Sequence, residues 1–447
     1  MCRPLRWYSR RAMPLDLSRF SEALRTVDPV ATEGRVTGAV GLAIRAIAPG
    51  ARLGAIAEIR HDDPLSPSVL AEVVAFDGEI ATMLPLGSAH GIGPGDRVSI
   101  STRGLTVRAG DSVLGRVLDG LGEPIDGGPP LVGEEVPVLR SPPSPMERPR
   151  VTRMLPTGVR VLDALTPIGE GQRMGLFSGS GVGKSTLLAQ IARQAAADVF
   201  VVCLVGERGR EVVEFLEDGL GDEGRRRGVV IAATSDAAPL VRMRSAFVAT
   251  AIAEHFRDRG ARVLLLLDSV TRFARAAREV GLAAGEAPAR RGYPPSVFAQ
   301  LPQLLERSGT SPHGSITAIY TVLVEGNDLE EPIADEVRGI LDGHVVLSRA
   351  LASRGRFPAV DPRESLSRLA PRIASASHMS AAAKLRELVS IYEDKRDLVL
   401  LGAYKRGGDA ALDRALERLD VIEAFLRQPD REKVELSETL AHLSRAL

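Results

Sequence analysis

A glycine-rich segment near the middle of the chain has the residue types of a loop that binds phosphate. It reads SGSGVGKS from Ser178 to Ser185 and lies between a predicted strand and a predicted helix, the context that such a loop requires. The glycines let successive backbone N–H groups face one anion, and the helix N-terminus adds its partial positive charge. The Lys184 ammonium can reach the β- and γ-phosphates of a nucleoside triphosphate, and the Ser185 hydroxyl can ligate Mg²⁺. The strict pattern has glycine in place of Ser178, yet a plain tight turn has no use for the Lys-Ser pair.

An aspartate farther along the chain suits the metal that accompanies such phosphates. Asp268 directly follows the apolar run Val263–Leu267. A carboxylate at the end of a buried strand can make a second contact to Mg²⁺ through water. The same residue also suits the N-cap of a helix that begins near Ser269 and Thr271. The phosphate-binding loop upstream favours the metal contact.

A glutamate and an arginine follow the strand predicted after the loop's helix. Glu207 and Arg208 lie just past Val205, at the carboxyl edge of the predicted sheet, where ligands bind in α/β proteins. Glu207 can polarise an attacking water as general bases do, or it can form a surface ion pair. Arg208 can orient Glu207 or contact phosphate oxygens, and Glu211 suits a helix start.

Strands alternate with helices from about residue 152 onward, which is typical of an α/β domain. Most of the predicted strands are nearly continuous apolar runs, as expected when both faces of a parallel sheet are covered. The predicted strands are Arg173–Phe177, Val199–Val205, Val229–Ala233, Val263–Leu267, Ser315–Val324 and Val345–Leu347. The predicted helices are Lys184–Ala197, Leu240–Arg257, Thr271–Val280, Pro295–Glu306 and Glu331–Leu341.

The chain divides into four segments by residue pattern. We predict a basic tail over residues 1–30, a β-barrel over 31–105, a linker with the phosphate-binding domain over 106–375, and helices over 376–447. The barrel strands are predicted at Val36–Ala43, Gly54–Ile59, Ser68–Phe76, Glu79–Pro85 and Val98–Ile100. Extended connections are predicted at Leu121–Pro130 and Ser141–Pro149, which are rich in proline and glycine. The C-terminal helices are predicted at Met379–Asp394, Asp409–Arg427 and Glu432–Ala446.

The composition argues against several classes of protein. Lys+Arg and Asp+Glu both total 57, and this balance weakens a reading as a general nucleic-acid binder. Aromatic residues make up only 4% of the 447 residues, which argues against base-stacking platforms. Two cysteines, Cys2 and Cys203, imply no disulfide framework and fit a reducing compartment. No apolar stretch approaches the roughly 20 residues that span a bilayer, and no apolar segment of a secretory signal follows the basic start.

Together, these motifs resemble those of the hexameric rotary-ATPase catalytic subunits, a family that includes ATP synthase β subunits and the ATPases of flagellar and virulence type III export. The resemblance extends to four further segments, at Leu114–Asp126, Thr157–Asp163, Phe357–Asp361 and Ser365–Arg368. It implies a multidomain fold with a small N-terminal β-barrel, a central α/β RecA-like P-loop NTPase domain and a C-terminal α-helical domain. It also implies ATP and Mg²⁺ as cofactors.

The resemblance assigns roles residue by residue. Glu207 matches the glutamate that activates water, Arg208 the arginine beside it, and Asp268 the aspartate associated with Mg²⁺ together with Ser185. Arg272 matches an arginine near the γ-phosphate, and Arg368 matches the arginine finger that reaches a neighbouring subunit's site, although it also suits a structural ion pair. Phe357 stands where the ATP synthase β subunit has an adenine-stacking tyrosine, although it also suits a core position. The remaining nucleotide contacts implied are Gly179, Ser180, Gly181, Val182, Gly183, Lys184, Ser185 and Thr186.

The C-terminal segments Leu401–Tyr404 and Ala424–Gln428 resemble those of the flagellar export branch. This branch implies a cytoplasmic homohexamer associated peripherally with the inner membrane. Its implied partners are an export regulator or stator, a central-stalk coiled coil, chaperones with their cargo and a membrane export gate, without nucleic acid. The alternatives are a virulence type III secretion ATPase, a proton-coupled ATP synthase β-type subunit and a Rho-like RNA translocase. The last would need basic and aromatic residues in its barrel, where Phe76 is the one clear aromatic.

Overall fold

The computed structural model describes residues 33–61, 67–101, 104–324 and 330–447. The predicted basic tail, residues 1–30, lies outside these ranges. The described chain forms an N-terminal barrel, a central α/β domain and a group of C-terminal helices, so the predicted fold class is confirmed. Within these ranges, none of the helices is both long enough and apolar enough to cross a membrane.

Six antiparallel strands close the N-terminal barrel. They are β1 (Glu33–Val40), β2 (Ala43–Ile47), β3 (Ile56–Arg60), β4 (Val69–Asp77), β5 (Ile80–Pro85) and β6 (Arg97–Ile100). Their order is β1-β2-β5-β4-β3-β6, and β6 pairs back onto β1. Alternate side chains such as Ile44, Ile59 and Val98 point inward and are fully buried. One prediction was wrong: the run Val36–Ala43 is not one strand, because Gly41 adopts a left-handed φ of 58° and turns the chain between β1 and β2.

Short strands also occupy the region that the sequence predicts as linker. β7 (Thr106–Ala109) pairs antiparallel with β9 (Glu134–Pro137), while β8 (Val117–Asp119) joins the edge of the central sheet. Pro145–Glu147 forms a 3₁₀ turn inside a stretch that the sequence predicts as extended. Proline suits the first position of such a turn because it has no N–H to satisfy there.

The central sheet places the phosphate-binding loop at the edge where β10 ends. Its strands are β10 (Arg173–Ser178), β11 (Val199–Glu207), β12 (Gly228–Thr234), β13 (Arg262–Asp268), β14 (Gly309–Thr310), β15 (Ser315–Leu323), β16 (Gly343–Leu347) and β17 (Leu366–Ser367). The order is β17-β16-β10-β15-β13-β11-β12-β8, with β14 paired to β15. All neighbours in this order are parallel except β17 and β16. Consequently β10, β11 and β13 all end at the same edge.

Helices cover both faces of this sheet. They are α1 (Arg160–Leu165), α2 (Lys184–Gln194), α3 (Gly209–Glu214), α4 (Gly221–Arg225), α5 (Pro239–Asp258), α6 (Val270–Ala283), α7 (Pro295–Leu305), α8 (Pro332–Ile340), α9 (Arg349–Ser353) and α10 (Ala370–Ile373). A π-helical turn, Phe215–Leu220, joins α3 to α4, and 3₁₀ turns lie at Asp111–Val113 and Arg290–Gly292. Along β11, Val201, Cys203 and Val205 face the core formed with α5 and α6, whereas Val202 and Leu204 face the core formed with α1 and α2.

The C-terminal helices pack on the second of these cores. They are α11 (Ala376–Leu400), α12 (Ala410–Leu426) and α13 (Leu436–Arg445). Leu385, Phe425 and Leu443 from these helices lie in the same buried cluster as Leu188 of α2. The helices pack directly against α1, where Nε2 of His378 hydrogen-bonds with the Ala164 carbonyl at 2.8 Å.

A buried ion pair holds the connecting region onto the central domain. Arg307 is 1% exposed and donates to Glu254 of α5, with Nε–Oε1 at 3.0 Å and Nη2–Oε2 at 2.6 Å. Its Nη1 donates to the Val138 carbonyl just after β9, at 2.7 Å. Glu254 is itself 1% exposed. Arg140 and Arg257 lie farther from the Glu254 carboxylate, at 3.9 and 4.0 Å, so its charge is compensated mainly by Arg307.

Replacing Arg307 with methionine should destabilise the protein by about 3–5 kcal/mol, because the buried Glu254 carboxylate loses its closest cation and the two hydrogen bonds from it. Urea unfolding followed by circular dichroism measures the difference. The matched control is Arg259→Met, since Arg259 makes an exposed pair with Asp111 at 3.5 Å; it should change the free energy of unfolding by about 0–1 kcal/mol. Equal effects of the two substitutions would contradict the expectation.

Candidate nucleotide-binding site

The glycine-rich loop connects β10 to α2 through two left-handed residues. Gly181 has a φ of 76° and Gly183, which caps α2, has a φ of 89°. Residues other than glycine rarely adopt these φ values. Val182 between them is buried, whereas Ser180, Ser185 and Thr186 are exposed. The loop therefore presents its backbone N–H groups and two hydroxyls at the start of a helix, the arrangement that binds phosphate.

The Lys184 side chain joins two carboxylates at this edge of the sheet. Its ammonium contacts the Asp268 carboxylate directly and lies 3.7 Å from Oε1 of Glu207. Asp268 is 2% exposed and also accepts a 2.8 Å hydrogen bond from Oγ1 of Thr321. Thr321 was not predicted as a site residue. It lies on β15 beside β13, and a polar residue inside that apolar strand was the available signal.

A β-bulge decides where the Glu207 carboxylate points. Val205 pairs with Ala233 and Glu207 with Thr234, so that Gly206 is an extra residue on β11. Because side chains alternate along a strand, the extra residue returns Glu207 to the face that carries Leu204 and α2. The φ of 66° at Gly206 makes this bulge suited to glycine.

Arg272 is the cation that holds Glu207 most closely. Its Nη1 lies 2.5 Å from Oε2 of Glu207 and donates to the Gly206 carbonyl at 2.8 Å. Arg208, by contrast, has a side chain 76% exposed and lies 3.8 Å from Glu211. Among the contacts of the described residues, it is therefore Arg272 rather than Arg208 that pairs with Glu207.

The surroundings of Glu207 favour its neutral form. Burial raises the pKa of Glu207 to about 7, and a hydrogen bond with Glu211 and the nearby Asp268 carboxylate act in the same direction. Lys184 and Arg272 oppose this rise. The same hydrogen bond lowers the pKa of Glu211. A carboxyl group with a pKa near 7 suits a general base at neutral pH.

The Phe357 ring lies beside the loop. Two of its ring carbons would be 3.5 Å from a Cβ placed on Gly183, and the side chain is 47% exposed. The backbone N–H of Gln428 donates to the Phe357 carbonyl at 3.0 Å. This partly exposed aromatic face is available to stack on a base.

Arg349, at the start of α9, was not predicted as a site residue. One of its guanidinium nitrogens would lie 3.4 Å from a Cβ placed on Gly179. It places a further positive charge against the back of the loop, and the sequence offers no motif that identifies it.

Arg368 does not join the other predicted site residues. It follows β17, and its N–H donates to the Asp342 carbonyl at 3.0 Å. Asp342 in turn accepts a bond from the N–H of Arg173 at the start of β10. The loop follows the opposite end of β10, at Ser178, which at about 3.3 Å per residue is roughly 16 Å away. The exposed Arg368 side chain therefore lies at the amino edge of the sheet.

The oxygen donors at the loop fit Mg²⁺ bound with a nucleotide. Ser185 supplies an exposed hydroxyl, and Asp268 supplies a carboxylate. Within the described ranges, no cluster of three or more histidine, cysteine or acidic residues could hold a metal by itself. Mg²⁺ is usually held by one or two protein groups together with phosphates and water, rather than by a complete protein cage.

Comparisons with known proteins give the same picture over nearly the whole chain. Residues 158–367 match the nucleotide-binding domain of the ATP synthase alpha/beta family, and residues 374–445 match the T3SS EscN ATPase C-terminal domain. The chain is 50% identical to the flagellum-specific ATP synthase of Treponema pallidum (strain Nichols), covering 96% of each chain. It is 49% identical to the type 3 secretion system ATPase of Xanthomonas euvesicatoria, over 92% of this chain and 93% of that one.

A solved structure shares the fold. Assembled EscN from the enteropathogenic E. coli type III secretion system matches with a TM-score of 0.87 and 43% identity, covering 92% of this chain and 99% of that chain. The second structure is EscN in complex with its central stalk EscO, which matches with a TM-score of 0.85. The chain therefore belongs to the ATP synthase alpha/beta family, alongside the flagellum-specific and type 3 secretion ATPases that it matches over nearly their whole length.

Proposed function

We propose that this chain is the Mg²⁺-dependent ATPase that energises flagellar type III protein export, acting as a homohexamer with sites at its subunit boundaries. The observation that carries the proposal is the grouping of Lys184, Glu207, Asp268 and Arg272 around the phosphate-binding loop, with Arg368 held at the opposite edge of the sheet. ATP hydrolysis would release cargo from chaperones and deliver it to the export gate. We also propose that its partners include an export regulator or stator and a central stalk, and that it lies peripherally at the inner membrane.

Each described residue would have a separate task in hydrolysis. The loop amides and Lys184 would bind the phosphates, and Phe357 would stack on adenine. Ser185 and, through water, Asp268 would hold Mg²⁺, which supplies charge neutralisation when bound. Glu207, oriented by Arg272, would accept a hydrogen bond from the attacking water and take up its proton.

The position of Arg368 supports the hexamer. Its backbone is fixed at the amino edge of the sheet, with the length of β10, about 16 Å, between that edge and the loop of its own chain, so it would complete a site on a neighbour. An arginine supplied from a second chain can accelerate phosphoryl transfer by roughly 10³–10⁵-fold. A single kind of chain that carries both Glu207 and Arg368 needs no second, non-catalytic subunit.

Two alternatives have weaker support. A Rho-like RNA translocase would stack bases on aromatic residues of its barrel, whereas Phe76 is the one aromatic residue in the segment 34–102. A virulence ATPase remains the second candidate, because relatives of both kinds match at 49–50% identity. The likeness of the C-terminal segments Leu401–Tyr404 and Ala424–Gln428 to the flagellar branch is our reason for preferring it.

Export in living cells distinguishes these branches. Deleting the gene should abolish release of hook and filament proteins into the medium, and a plasmid copy should restore it. A Glu207→Gln copy should fail to restore export, because its amide cannot take a proton from water. Glu217→Gln, an exposed position ten residues on, is the matched control and should restore export. Intact flagellar export with lost secretion of virulence proteins would transfer the chain to the second branch.

Substitution of Arg368 tests the shared site. We expect Arg368→Ala to lose about 10³-fold or more in turnover while still assembling, measured by phosphate release alongside sedimentation. The control is Arg372→Ala, an exposed arginine one helical turn on, which should keep full activity. For the wild type, activity per subunit should rise with protein concentration as rings form. Activity that stays constant from monomer to ring, or survives Arg368→Ala, would remove the shared site.

The pKa of Glu207 predicts a pH profile. Because a base must be ionised, kcat/KM for ATP should fall as the pH drops through about 7, the value to which burial raises this carboxyl. Glu211→Ala removes the hydrogen bond that contributes to this rise, so the inflection should move to lower pH. Glu214→Ala, one turn along the same helix and paired with Arg210, should leave it unchanged. An unshifted wild-type inflection near 4.5 would exclude Glu207 as the base.

A further inference from the structure

A second ion pair lies directly behind Glu207, on the side away from the phosphate-binding loop. Arg242, near the start of α5, donates from Nη2 to Oε2 of Glu279 on α6 at 2.8 Å and from Nε to the Ala237 carbonyl at 3.0 Å. The Arg242 side chain is 17% exposed. The pair is therefore mostly shielded from solvent on the Arg242 side, and it joins α5 to α6 at the level of the site.

Both partners of this pair are connected to the Gly206 bulge. A Cβ placed on Gly206 would lie 3.8 Å from Cδ of Arg242 and 3.3 Å from Cδ of Arg272, so both arginine stems border the space that a side chain at this position would occupy. Glu279 lies seven residues after Arg272, two turns along the same face of α6. The pair thus holds the stem of Arg242 against the bulge and ties it to α6, the helix that carries Arg272.

The Glu207 side chain is held by Arg272 and Lys184, and two hydrogen bonds hold the backbone of the bulge. Its carbonyl is bound by Arg272 at 2.8 Å, and the Glu207 carbonyl accepts from the N–H of Ser235 at 3.0 Å. Glycine at this position has no side chain of its own to limit its φ and ψ. Packing by Arg242 supplies that limit from outside the strand.

We propose that Arg242 and Glu279 form a positioning pair that holds the Gly206 bulge, and through it keeps Glu207 and Arg272 aligned for water activation. Neither residue touches substrate in this scheme. The proposal rests on the proposed function, since its readout is ATP hydrolysis. Loosening the bulge would misplace the base without altering the phosphate-binding loop, so catalysis and binding should separate. A misplacement of about 1 Å can cost on the order of 10²-fold in rate.

A double-mutant cycle with Arg242→Gln and Glu279→Gln tests this pair. The two residues border a cavity of about 640 Å³ between the barrel and the central domain, so the shorter or isosteric glutamines fit without crowding. Each single variant should lose about 10- to 100-fold in kcat, with KM for ATP within about twofold. The double variant should lose no more than the worse single variant, because the two groups act as one unit.

The controls separate positioning from folding and from the proposed function. Arg262→Gln breaks a pair with Asp198 at the amino edge of the sheet, 2.6 Å apart, and should leave kcat unchanged. Melting curves and sedimentation should show folded rings for every variant. Unchanged kcat, losses that multiply in the double variant, or lost rings would each overturn the positioning role. A wild-type protein without ATPase activity would instead overturn the proposed function.

Discussion

Two buried carboxylates share one ammonium in this protein, and the arrangement of the central domain depends on keeping that group together. Lys184 contacts Asp268 and approaches Glu207, and both acids are less than a tenth exposed. Removing charges from water costs several kcal/mol per ion unless they are paired and hydrogen-bonded. Glu207 and Asp268 end β11 and β13, and Lys184 begins α2 after the loop that follows β10. The three residues meet because these strands run parallel and end at the same edge.

The contacts around this group differ in how directly they reach the two carboxylates. Thr321 and Arg272 each touch one of the carboxylates, while the Arg242 stem lies against the glycine beside Glu207. The barrel then packs on the side of α5 and α6, and the C-terminal helices pack on α1. The end of α2 meets the C-terminal region between α12 and α13, where Arg193 and Gln194 donate to the Asp430 carbonyl.

The sequence identifies the parts of the site that are local in the chain. The loop, Glu207 and Asp268 each follow a recognisable apolar run, so residue type and position were enough to predict them. The bulge could not be predicted, because its evidence is the pairing of β11 with β12, and Gly206 reads equally well as an ordinary loop residue. Arg242 and Glu279 are separated by two helical segments and a strand, and no motif links them. The division of roles between Arg208 and Arg272 likewise depends on which side chain the fold turns inward. In the barrel, one apolar run became two strands because a single glycine took a left-handed conformation.

The separation between Arg368 and the loop of its own chain has a genetic consequence. On the proposed ring, a chain that lacks Lys184 still offers a sound arginine to its neighbour, and a chain that lacks Arg368 still offers a sound loop. Two defective alleles expressed together would thus regenerate some intact boundaries. Each defective allele would also impair the boundaries that its chains form with wild-type chains. It would therefore behave as partially dominant over the wild-type allele.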